Sequence, residues 1–136
     1  MRIDQGFINY INNKIMIDAS KLSYIIKDTA PSDEKSLFNS TSLVVWNGAS
    51  NHTIFGDASV NWAFRALHDD LHLKTRLNFS PIQEIELGRI QASKYKGIFA
   101  DLVYIEVAGQ AEYYLKHGIF VKDQVQFTVD ALNNLK

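Results

Sequence analysis

Residues 57–76 read DASVNWAFRALHDDLHLKTR. Val60, Phe64, Leu67 and Leu71 recur at i, i+4, i+7 and i+11, the spacing of an apolar stripe along an α-helix. Asp57 or Ser59 stands just ahead of the stripe with an oxygen able to accept from the free amides of a first turn. The stretch predicts an amphipathic helix. Asn61, Arg65, His68, His72 and Arg76 form a second, polar stripe opposite the apolar one, so the element that decides the fold class also gathers most of the chemistry.

Upstream, Ile3, Phe7, Ile11 and Ile15 repeat every four residues and predict a helix over about 4–15. Ala19, Leu22, Ile25 and Ile26 keep helical spacing after Asp18, which predicts a second helix, although the run SYIIKD at 23–28 also suits a strand. Thr29–Ser42 is polar, contains Pro31 and reads as a loop with room for a helical turn at Glu34–Phe38. Leu43–Trp46 is a β-branched and aromatic run closed by Asn47-Gly48. That pair favours a tight turn, so Thr53–Phe55 is the expected partner in a small hairpin.

Downstream, Ser80-Pro81-Ile82-Gln83 has the form of a capping box with proline at the first helical position, predicting a helix to about Ser93. The run from Ile98 to about Lys116 is apolar over more than half of its circumference and predicts a central helix stopped by Gly118. Asp123 caps a last helix bearing Val125, Val129, Leu132 and Leu135, with an alternating strand as the other reading of Val125, Phe127 and Val129. The expected fold is mainly α, a compact helical bundle with a small β-hairpin, with an α+β arrangement as the alternative, in one domain over residues 1–136.

Composition narrows the function. The 136 residues are 46% hydrophobic, with eight Phe, six Tyr and two Trp, enough apolar surface for a core. Cysteine is absent, which excludes disulfides, thiolate metal sites and a Cys nucleophile, so any metal must be held by His, Asp, Glu or Gln. The N-terminus MRIDQGFINYINNK lacks the apolar stretch of a signal peptide, and a cytoplasmic location is expected. Net charge is −1 with scattered basic residues, which gives neither a nucleic-acid footprint nor a polybasic membrane patch. Dinucleotide, P-loop and nucleophile-elbow signatures are missing.

His68 and His72 lie one helical turn apart, so both imidazoles can converge on one divalent ion. Asp69 between them is the candidate catalytic carboxylate, in the order His-Asp-x-x-His. Glu84, in the first turn of the next helix across the short NFSP connection, is the expected third ligand or general base. It shares a helical face with Gly88 and Gln91. Gly88 inside a helix is costly unless it permits a close approach. Arg65, Asn61, Arg76, Gln91 and Gln110 are the candidate substrate contacts, with the Arg65 fork suited to an anion. Against these stand plainer readings: a solvated polar face for the histidine stripe, dipole complementation for Glu84, and an internal hydrogen-bond network for Glu106 and Gln110, which share a polar row with Tyr113 and His117 on the central helix.

The words AFRALHDDLH over 63–72 resemble the metal-binding signature of HD-superfamily phosphohydrolases, which implies His68 and Asp69 as ligands, with His52 upstream and Asp101 or Asp123 downstream as counterparts. The longer layout from NWAFRALHDDLH through Glu84 and Gln91 to GQAEYYLKHGIF is similar to small uncharacterised proteins of tailed bacteriophages, a resemblance that implies no activity. Together these features point to a metal-dependent hydrolase acting on a small phosphorylated or nucleotide-like compound. The alternative is a non-enzymatic, phage-encoded binding protein or inhibitor of a host factor, with the histidine face as its interaction surface.

Overall fold

The computed structural model describes residues 3–28 and 43–135. The loop expected at Thr29–Ser42, with its helical turn at Glu34–Phe38, lies outside them. The chain divides into two compact units, Asp4–Arg76 and a second that begins at Leu77. Both are mainly helical, and the first adds a small β element. Among the described residues no helix is long and apolar enough to cross a membrane.

In the first unit, α1 spans Gln5–Ala19, capped by Asp4, whose side chain accepts from the Phe7 amide. It buries Ile8, Ile11, Ile15 and Ala19. The helix runs past the expected end at Ile15 and through Asp18. It stops where the Ser20 hydroxyl and amide turn back onto Ile17 and Met16 carbonyls. The helix expected after Asp18 is therefore absent, and Tyr24–Lys27 forms strand β1. Its four residues alternate between half-buried and exposed, and that two-residue period outcompetes the looser helical spacing of Ala19, Leu22, Ile25 and Ile26.

Leu43–Trp46 forms β2 as expected, but its partner is β1 in parallel register, Tyr24 opposite Leu43 through Lys27 opposite Trp46. The expected hairpin with Thr53–Phe55 does not form, because the carbonyls after β2 are engaged by a helix and the chain does not fold back as a strand. Helix α2, Ala58–Thr75, carries the sequence quoted at the outset. The Asp57 carboxylate accepts from both the amide and the hydroxyl of Ser59. Helix α2 packs on α1 and on β2, with Phe64 against Phe55 at 5.1 Å between ring centroids. The Asn12 amide donates to the Phe55 carbonyl at 2.9 Å, tying the bend before α2 to α1.

In the second unit, α3 spans Pro81–Ala92. Ser80 Oγ accepts from the Gln83 amide, as a capping box requires, but Gln83 Oε1 reaches back to the amide of Asn78 at 2.7 Å, and Asn78 Oδ1 takes the Ser80 amide instead. The central run begins as α4, Gly97–Tyr104, widens into a π-turn over Ile105–Gly109, and resumes as α5, Gln110–His117. Gly118, at φ +72, ends it. Asp123 caps α6, Gln124–Asn133, so the strand reading of that segment falls.

Gly88 of α3 meets the π-turn so closely that an added Cβ would lie 2.7 Å from Ala108 Cβ and 2.9 Å from its amide nitrogen. The glycine is there for a helix-to-helix approach. Leu87, Leu102, Val103 and Leu132 fill the core of this unit, while α5 buries none of its residues fully.

Candidate functional site

On α2 the two histidines meet. Their Nε2 atoms are 3.2 Å apart and their rings nearly perpendicular, at 4.7 Å between centroids. His72 is 1% exposed and His68 half-buried, so the pair is not a solvated face. The cause is the helix itself: residues four apart stack one turn above the other while Leu71 enters the core. Two neutral rings at this separation require one Nε2 to carry a hydrogen and the other to present its lone pair.

The rest of the polar stripe is tied down locally. Asn61, 7% exposed, donates through Nδ2 to Ser50 Oγ at 3.0 Å. The Nη1 atom of Arg65 donates to the carbonyls of Trp46 and Gly48, both at 2.6 Å, and its guanidinium lies 5.1 Å from the centre of the Trp46 ring. Burial holds the Arg65 guanidinium below its ordinary pKa, and the charge of Asp69, one turn on, acts in the opposite sense. Asp69 is half-buried next to His68. Asp70 pairs with Lys74 at 2.7 Å near the surface. Arg76 is exposed at the end of α2, in the left-handed conformation at φ +62, with its amide on the His72 carbonyl. Of the counterparts implied by the HD-like signature, His52 is exposed in the bends before α2.

The histidine pair belongs to the first unit; Glu84, Gln91 and Gln110 belong to the second. Glu84 stands half-buried in the first turn of α3, and Gln91 is 3% exposed on the same face, beyond Gly88. Asp101 is half-buried on α4, and the Asp123 carboxylate accepts from the Gln126 amide as a cap.

A second cluster centres on the π-turn. Glu106 Oε1 accepts from Thr128 Oγ1 at 2.5 Å, and Gln110 Nε2 lies 3.5 Å from Oε2. Burial pushes the Glu106 carboxyl up to about 7, against the lowering effect of the Thr128 hydrogen bond. A carboxyl poised near neutrality can hold or release a proton under ordinary conditions. Thr128 carries no signal in the sequence beyond one hydroxyl on the apolar face of the last helix. Tyr113 and His117, expected in the same row, lie ring against ring at 4.3 Å between centroids, with their planes tilted by 43°.

Comparison with family models, with curated proteins and with solved structures finds no significant match to this chain.

Proposed function

We propose that the chain binds a divalent metal ion through His68 and His72 and acts as a metal-dependent hydrolase on a small phosphorylated or nucleotide-like compound. The observation that carries the reading is the 3.2 Å separation of the two Nε2 atoms. Nitrogens each about 2.0–2.1 Å from a tetrahedral ion stand about 3.3 Å apart, so the separation is that of two ligands on one ion. Glu84 is the proposed third ligand or base, on the strength of the short connection from α2 to α3. Such an ion lowers the pKa of a bound water and stabilises negative charge on a reacting oxygen.

Arg65 is engaged by backbone carbonyls. Arg76, exposed at the end of α2, is the proposed contact for an anionic substrate. A cytoplasmic location accompanies this reading. The deciding experiment is metal analysis and zinc titration calorimetry on untagged protein. Near-stoichiometric binding that His68→Gln and His72→Gln each weaken at least tenfold supports the site. Absence of binding by the wild type sinks it.

One observation favours a second reading, a phage-encoded binding protein without catalysis. Leu115, Ile119 and Phe120 are exposed together at and after the end of α5, Phe120 by 78%. Clustered apolar side chains of this size mark interaction surfaces more often than single ones do.

A further inference from the structure

We infer that the turn Trp46–Ala49 is a preformed receptor for a planar cation, and that Arg65 fills it from within the same chain. All four successive carbonyls of this turn accept from side chains of α2. Arg65 Nη1 takes those of Trp46 and Gly48 at 2.6 Å each, Nη2 takes that of Ala49 at 3.5 Å, and Trp62 Nε1 takes that of Asn47 at 3.2 Å. The Trp46 ring lies beside the guanidinium at 5.1 Å. In-plane acceptors with an aromatic face alongside are what a guanidinium recognises, and they suit it better than a compact ammonium or a spherical ion.

The shape of the turn has supports that do not involve Arg65. Ser50 Oγ donates to the Gly48 carbonyl at 3.0 Å and itself accepts from Asn61 Nδ2 at 3.0 Å. The Trp46 ring rests on Gly48 so tightly that a Cβ there would come within 2.1 Å of it. Ala49 is held at φ +51, a conformation that residues with side chains adopt only where their surroundings over-determine it. Together with the Trp62 contact, these bonds keep the carbonyls converged when the guanidinium is removed. The inference is independent of the metal reading, because none of its contacts involves His68 or His72.

The test is chemical rescue. Thermal unfolding of wild type and of Arg65→Ala is followed against guanidinium chloride from zero to about 20 mM, far below denaturing concentrations, with methylguanidinium, KCl and NaCl at matched ionic strength. The receptor predicts a lowered Tm for Arg65→Ala that rises saturably with guanidinium and methylguanidinium but not with K⁺ or Na⁺, and no such rise for the wild type, whose site is filled. If Arg65→Ala does not fold in plain buffer, its refolding yield is read instead, and recovery with guanidinium alone supports the receptor. Equal rescue by K⁺, a Tm that only falls with guanidinium, or no refolding with either salt overturns it.

Discussion

Thr128, fully shielded from solvent, donates its hydroxyl to Glu106 across the gap between α6 and the π-turn, at 2.5 Å. The contact joins a group that cannot ionise to one whose ionisation is finely balanced. Burial favours the neutral carboxyl, and the hydroxyl favours the charged one. Burial wins, since Glu106 is raised from 4.5 to about 7.

That balance fixes a pH dependence. The folded chain keeps a proton on Glu106 that the unfolded chain releases near its ordinary value, so the folded state binds more protons between about pH 4.5 and 7. This contribution to stability is complete below pH 4.5, declines as pH rises, and is lost above about 7. It amounts to something on the order of 3 kcal/mol. Glu106→Gln, which cannot ionise, should flatten this part of a urea-derived stability profile and be the more stable protein at pH 8. An unchanged slope would show that the carboxyl is solvated.

Thr128→Val removes the hydroxyl and keeps the volume. Without that donor the charged carboxylate loses its support, so the Glu106 pKa should rise further, and the decline in stability, still beginning near pH 4.5, should extend to higher pH. Carboxyl carbon chemical shifts followed by NMR through a pH titration read this directly. A downward shift would mean that water replaces the hydroxyl.

Gly88→Ala should destabilise the protein by up to about 2 kcal/mol in urea unfolding, even though alanine is the better helix former, because overpacking against Ala108, about 1–3 kcal/mol, outweighs a propensity gain of about 1 kcal/mol. Ala108→Gly in the same chain should recover part of the loss. A Gly88→Ala protein as stable as the wild type would show that α3 and the π-turn separate easily.

Glu84→Gln should weaken zinc binding by tenfold or more while changing Tm little, if Glu84 supplies the carboxylate of the proposed metal site. A change in Tm with zinc affinity intact would assign Glu84 to the support of α3, where its place in the first turn already complements the helix dipole.

The helices were legible where period and cap agree. Asp57 with the Val60 to Leu71 stripe marked α2, Ser80-Pro81 marked α3, and Gly118 marked the stop of the central run. The sheet was not legible as it formed, because pairing is chosen between segments distant in sequence. Asn47-Gly48 suggested a hairpin, yet its carbonyls serve Trp62 and Arg65. Partners that are backbone carbonyls leave no trace in residue identity, which is also why Arg65 read as an anion contact. The histidine pair itself follows directly from four-residue spacing on a well-marked helix. The π-turn is not legible because a run apolar over most of its circumference, such as IFADLVYIEVAG, does not distinguish regular helical turns from one wider turn.

The π-turn also acts as a phase shifter. Its bond from the Gln110 amide to the Ile105 carbonyl takes up one residue more than an α-turn does, so every side chain of α5 is rotated backwards by about 100° relative to an uninterrupted helix. Were the same residues wound as a regular α-helix, with none removed, α5 would turn through that angle about its own axis, the Tyr113 ring would leave Phe127, and Leu115 would point in a new direction. Deleting a single residue from 105–109 removes the extra residue and the wide turn together, so α5 keeps the faces it has. The π-turn thus absorbs one residue of chain length without changing which side chains α5 offers to solvent.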